Sequence, residues 1–277
     1  MSPRARIVAA AVSAVILGGS VIVGTASAAD APDTDPTAEM SAVEASAVDA
    51  SAGAATVAAV AAGPGDQLRF AFDQGDSLAP GTRVTDVSGV GNHGIVRSKY
   101  GGTITPQSSF AKFPNPCTRE SCPNAMIEVV DHPTLDPGTA SFEWGARIRM
   151  KSSETADGEN VLQKGRWGDA GGQWKLQVDK TGGKPSCVVS GFRNGAESRV
   201  MVKASVGVAD DTWHEVICRR TAGGVEILVD GVVRGSAAMP VVTLSSSAAV
   251  TIGAKEVVAK DNDQFLGRLD DVFMRLI

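Results

Sequence analysis

The groups in this 277-residue chain that could do chemistry are 4 cysteines, 3 histidines and 31 acidic residues. Retaining glycoside hydrolysis needs two carboxylates held about 5 Å apart, which a strand supplies from same-face positions, as in an E-x-D-x-E run. No such run occurs. Asp210-Asp211 and Asp270-Asp271 are adjacent pairs, whose members point to opposite faces in a strand. There is no G-x-S-x-G elbow, no H-E-x-x-H, and no phosphate-cradling loop that opens a helix. His93, His132 and His214 are isolated, and His214 beside Trp213 reads as packing. No catalytic residues are expected, and the chain reads as a non-enzyme.

Binding chemistry has more support. Glycan recognition needs an exposed aromatic ring for a sugar to stack on, with polar groups nearby to read hydroxyls. Trp167, in Lys164-Gly165-Arg166-Trp167-Gly168-Asp169, is the best loop candidate, with Tyr100 and Arg193-Asn194 behind it. Asp270 falls on the apolar face of Val272, Met274 and Leu276. A carboxylate there is costly unless it is paired or holds a cation. Asp261-Asn262-Asp263 is a second oxygen-rich loop and reads as a solvated turn.

The N-terminal sequence sets the compartment. Arg4 and Arg6 precede an apolar run from Ile7 to about Gly24, followed by Thr25-Ala26-Ser27-Ala28-Ala29. A basic start, an apolar middle and small residues at an A-x-A step make residues 1–29 a secretory signal peptide, cut after Ala28 or Ala29. The rival is an uncleaved anchor, since the run is near the lower limit for spanning a bilayer. The small residues favour cleavage, and no stable membrane insertion is expected afterwards. Residues 30–63 hold six acidic residues, no basic one and no aromatic. Such a segment cannot bury enough apolar surface to offset chain entropy, so it reads as a non-globular, disordered spacer.

Export makes an even number of cysteines read as disulfides. Cys117, Cys122, Cys187 and Cys218 allow three pairings. Cys117 and Cys122 bracket a loop short enough to close on itself, and Cys187 and Cys218 lie in two strand-like segments. Cys117–Cys122 and Cys187–Cys218 is the expected set, worth about 2 and about 4 kcal/mol on the loop-entropy model. C-x4-C with a distant pair and only 3 histidines is poor zinc-ligand spacing. With Arg4, Arg6 and the six spacer acids set aside, the rest holds 24 basic and 25 acidic residues. Near-neutrality argues against nucleic acid as partner.

The elements that must position these groups are strands. Phe142, Trp144, Ala146, Ile148 and Met150 alternate with Glu143, Arg147 and Arg149, and Trp174, Leu176 and Val178 repeat the pattern. Val225, Ile227 and Val229 run into the hairpin signal Asp230-Gly231. Many short strands separated by turn chemistry over 64–277 indicate an all-β, two-sheet antiparallel sandwich or jelly roll. A closed barrel is the alternative. First and last strands should lie side by side or otherwise be protected. Trp144, Trp174 and Trp213 are expected in the core.

Five segments, in order, resemble one family, the laminin G-like or concanavalin A-like sandwich domains of bacterial secreted proteins. They are Leu68-Arg69-Phe70-Ala71-Phe72-Asp73-Gln74-Gly75; Asp86-Val87-Ser88-Gly89-Val90-Gly91-Asn92-His93-Gly94; Val161-Leu162-Gln163-Lys164-Gly165 with Trp174-Lys175-Leu176; Thr212-Trp213-His214-Glu215-Val216 with Val229-Asp230-Gly231; and Leu269-Asp270-Asp271-Val272. The stretch from Tyr100 to Asn124 matches nothing in that pattern. The resemblance implies a calcium site at Asp73, Asp86, Asn92 and Asp270, structural rather than catalytic, completed by turn carbonyls near Gly89 or Gly91. It also implies a secreted module that binds extracellular glycans or proteins. The fold hosts hydrolases too, so a polysaccharide-degrading enzyme is the alternative, and a cell-envelope structural or interaction protein the third reading.

Overall fold

The computed structural model describes residues 62–277. The expected signal peptide of 1–29, and the spacer of 30–63 but for its last two residues, lie outside the described residues. Among the described residues, sixteen strands form two antiparallel sheets laid face to face.

The back sheet runs in the order β14 (Val232–Ala237), β13 (Gly224–Val229), β12 (His214–Thr221), β7 (Phe142–Arg149), β16 (Arg268–Leu276), β5 (Ala111–Lys112) and β4 (Thr105–Pro106). The first strand, β1 (Asp66–Phe70), pairs with the last, β16. The front sheet runs β11 (Ala196–Lys203), β10 (Lys184–Arg193), β9 (Gln173–Asp179), β8 (Glu159–Lys164), β15 (Val250–Ile252), β6 (Asn124–Val129), β3 (Gly94–Lys99) and β2 (Arg83–Val84).

Alternation drives this arrangement. Along β7, Phe142, Trp144, Ala146 and Ile148 are buried between the layers, while Glu143, Arg147 and Arg149 stand on the outer surface. Phe142 stacks on Trp144 at 4.7 Å between ring centroids, and Trp174 of the front sheet packs 6.0 Å from Trp144. Both expected disulfides form. Cys187 on β10 and Cys218 on β12 belong to opposite sheets, so the second bridge crosses the core rather than joining neighbours within a sheet.

The outer face of the back sheet carries an ion ladder. Arg275, Glu143, Arg219 and Glu226 are register partners on four adjacent strands. Glu143 is only 2% exposed and accepts hydrogen bonds from both Arg219 and Arg275. Burial pushes its carboxyl upward, but the two guanidiniums overcome that and hold it below its ordinary value.

Two sequence expectations need correction. Trp213 is not a core residue. It precedes β12 on the outer side, where its ring packs 5.5 Å from Phe110 and 5.2 Å from the Arg147 guanidinium, because strand parity sends Val216 and Cys218 inward instead. Asp270 does not share the face of Val272 and Met274. The register shifts between Asp270 and Phe273, and Asp271 takes a left-handed backbone (φ 46°), which resets the alternation. Leu269 and Val272 are therefore both buried, and Asp270 meets Arg147 at 2.9 Å. Phe72 lies past the end of β1, at φ 55°, and is buried by a turn rather than by strand parity.

Candidate functional site

The outer face of the front sheet is where polar side chains gather. Register places Glu128, Thr251, Gln163, Lys175, Val188 and Met201 in one row across β6, β15, β8, β9, β10 and β11. Each alternates with a core residue on its own strand. The row floors two depressions, of about 310 and 240 Å³, that share Gln163, Arg166, Lys255 and Glu256 and so form one groove.

The floor is recessed. Gln163 is 4% exposed and Lys175 7%, although both face outward from the sheet. Loops on either side screen them. The Gln163 amide donates to the Gly165 carbonyl at 3.1 Å, while its Oε1 is buried with no hydrogen-bond partner among the described residues. Lys175 donates to Asp263 at 2.8 Å and to the Gly158 carbonyl at 3.4 Å. Burial lowers its pKa, opposed by the Asp263 charge. Lys255 clamps the loop behind, bridging Asp261 at 2.8 Å and Asp263 at 3.4 Å. Asp261 and Asp263 of the oxygen-rich segment are thus committed to lysines, while Asn262 donates to the Val258 carbonyl.

Trp167 stands at the rim, 63% exposed, with the Arg199 guanidinium 4.6 Å over its ring. Gly165 (φ 72°) and Gly168 (φ 84°) set the loop, and a side chain at Gly165 would strike the Gly172 carbonyl. Here a flat apolar face, a guanidinium, amides and an ammonium group converge on one trough. That combination can stack on a ring and read its hydroxyls.

The other sequence candidates lie elsewhere. Tyr100 (φ 53°) follows β3 with Lys99 5.3 Å over its ring, and Arg193-Asn194 sits at the β10–β11 hairpin tip, Asn194 at φ 52°. None of the three lines the groove. Asp86 ties a turn: its oxygens accept from the Arg69, Ser88, Gly91 and Asn92 amides and the Ser88 hydroxyl. Asn92 donates to the Gln67 carbonyl and to Thr134 Oγ1. With five donors on it, Asp86 has no lone pairs to spare for a cation.

Asp73 and Asp270 belong to a different group. Burial and the Asp271 charge raise both carboxyls, Asp270 to about 6. Arg147 opposes this at both, and Asp271 in turn pairs with Arg69 at 3.1 Å. Among the described residues, no three His, Cys, Asp or Glu side chains form a metal-holding group.

Sequence reasoning named Trp167, which stands at the rim, but none of the floor. Gln163, Lys175, Thr251 and Glu128 are far apart along the chain, and each reads as an ordinary solvated strand position.

A two-sheet jelly roll with a polar trough on one outer face defines a class of β-sandwich that includes both binding domains and glycan hydrolases. Residues 127–274 match the family model described as concanavalin A-like lectin/glucanases superfamily. The chain belongs to that superfamily. No curated protein matches the sequence.

Solved structures with similar folds include the binding domain of Paraclostridial Mosquitocidal Protein 1, with TM-score 0.50 and 13% identity over 70% of this chain and 46% of that one. A botulinum neurotoxin type C structure, whose cell entry depends on two ganglioside molecules, has TM-score 0.51 and 11% identity over 76% and 47%. The botulinum neurotoxin DC binding domain in complex with rat synaptotagmin II has TM-score 0.51 and 13% identity over 75% and 47%. The chain spans about half the length of the solved structures it matches, and at these identities the likeness is one of fold.

Proposed function

We propose that this domain is an exported, non-enzymatic module that binds extracellular glycan chains along the outer face of its front sheet. The observation that carries the reading is the recessed polar row through Thr251, Gln163 and Lys175, with exposed Trp167 at its rim. A sugar ring laid on Trp167 would bring its hydroxyls over the trough that Gln163, Gln173, Lys175 and Arg199 line. The acids bordering the trough are already engaged: Glu128 meets Arg97 at 2.9 Å, Glu256 meets Arg166 at 3.4 Å, Asp261 and Asp263 meet lysines, and Asp169 accepts from the Arg166 amide at 2.7 Å. Retaining hydrolysis would need two of them close together and free for acid–base work, so binding fits better than cleavage.

The superfamily and the toxin binding domains of the same fold support a binding role, and their named ligands include both gangliosides and a protein. A protein partner is the second reading, favoured by Met201, 46% exposed and in the same row as Val188. Two disulfides support export, with cleavage after Ala28 or Ala29 and the spacer 30–63 between the cut and the sandwich. Among the described residues no helix is long and apolar enough to cross a membrane.

The proposal includes a structural calcium ion held by Asp73 and Asp270, whose raised carboxyls a cation would relieve. Backbone carbonyls would complete its shell, and Asp86 and Asn92 would not take part.

The test is a glycan array followed by titration calorimetry on the hit. Trp167→Ala and Gln163→Ala should each weaken binding about tenfold or more, the usual scale for a buried contact at a hot spot. Release of reducing sugar from the bound glycan would overturn the non-enzymatic reading. Affinity unchanged in both variants would move the site off this face.

A further inference from the structure

A second cleft lies apart from the front-sheet groove. It has a volume of about 820 Å³, within the range usual for small-ligand sites. One wall is the Cys117–Cys122 ring, which belongs to the 100–124 stretch with no counterpart in the family pattern. Lys112, Arg119 and Lys180 all line it, and no carboxylate does. Among the described residues none of these three cations is held in an ion pair. Such a concentration of one sign is unexpected in a chain whose formal net charge is -5.

The disulfide ring sorts its charges by side. Arg119 faces the cleft, while its neighbour Glu120 pairs with Lys260 at 3.2 Å; Lys260 lines the adjoining depression, not this one. Closure of the ring between Cys117 and Cys122 keeps this division in place, with the Arg119 amide donating to Cys117 Sγ. Three unneutralised cations lining one cleft focus a positive potential on whatever enters. Around them stand hydroxyls from Thr103, Thr105, Ser153 and Thr155, which donate and accept as sugar hydroxyls require. Phe113, the aromatic lining residue, is 2% exposed and offers no face on which a nucleic-acid base could stack.

We propose that this cleft binds an acidic saccharide, with its sulfate or carboxylate groups on Lys112, Arg119 and Lys180 and its hydroxyls on the threonine and serine rim. The site is separate from the front-sheet groove, and neither reading depends on the other.

The experiment titrates the folded domain with a heparin-derived hexasaccharide and with its desulfated counterpart, at low and physiological salt. The sulfated probe should bind, weaken as salt rises because the contacts are exposed, and exceed the desulfated one about tenfold. The triple variant Lys112→Gln, Arg119→Gln, Lys180→Gln should lose about tenfold or more, the sum of several modest charged contacts. The charge-retaining set Lys112→Arg, Arg119→Lys, Lys180→Arg should keep binding, and Trp167→Ala should not affect it. Circular dichroism and melting confirm that each variant is folded.

Equal affinity of the wild type and the Gln variant would overturn the proposal. So would loss of binding on Trp167→Ala alone, or a short single-stranded DNA that competes as well as the sulfated sugar.

Discussion

Cys187 and Cys218 are bonded across the core, one in each sheet, and both side chains are fully buried. Cys218 is the register partner of Trp144, so the covalent link runs beside the stacked aromatics at the centre of the sandwich. The Cys117–Cys122 bridge lies in an outer loop where neither cysteine is buried.

Mild reductant should therefore open one bridge and spare the other. Thiol counting on the native protein should give two free thiols, rising to four after denaturation. Replacing both Cys187 and Cys218 by Ala should cost about 2–4 kcal/mol, while opening the outer ring, which closes a much shorter loop, should cost less, about 2 kcal/mol at most. Four thiols reacting in the native state would show that the layers are not locked as described.

Calcium should raise the melting temperature over that in EDTA by about 5 °C or more at saturating levels. Asp270→Asn should remove that difference, and Asp86→Asn should not. Identical melting with and without calcium would remove the ion from the account.

Glu159 carries a pH dependence of stability. It is fully buried, with Oε1 accepting from the Ala156 amide and Oε2 unpartnered, and burial pushes its pKa to about 9 from an ordinary 4.5. The unfolded chain releases this proton above its ordinary value while the folded chain keeps it. Its contribution is thus fully present below about pH 4.5 and is lost as pH rises toward 9. Glu159→Gln should flatten that decline. Urea midpoints at acid and mildly alkaline pH measure it, and a variant with the wild-type slope would exclude Glu159 as the source.

Glu143→Ala leaves Arg219 and Arg275 without their shared carboxylate. Side-chain exposures of 33% and 31% soften the loss. A cost of about 2–3 kcal/mol is expected, below that of a fully buried pair. Chemical denaturation reads it, and a change within about 0.5 kcal/mol, ordinary for a surface site, would mean the ladder contributes nothing.

The layer architecture was legible because it is written locally, in alternation. Phe142 to Met150 announces both its faces, and Asp230-Gly231 announces its turn. Asp270 was misplaced because one left-handed residue, Asp271, inverts parity, and an aspartate there looks like any other aspartate. Trp213 was misplaced because size and apolarity suggest the core, whereas two residues of strand phase and a waiting arginine decide otherwise. The trough was invisible for a different reason. Glu128, Thr251, Gln163 and Lys175 become neighbours only through strand order 6-15-8-9, which no local pattern encodes.

The pairing of β1 with β16 has a mechanical consequence. The Leu276 amide donates to the Gly65 carbonyl, so the polypeptide enters and leaves this fold at one spot on the back layer. Sequence joined at either end would pull on the same place. The trough is on the opposite layer from that attachment point, as the palm of a hand is from the wrist that holds it.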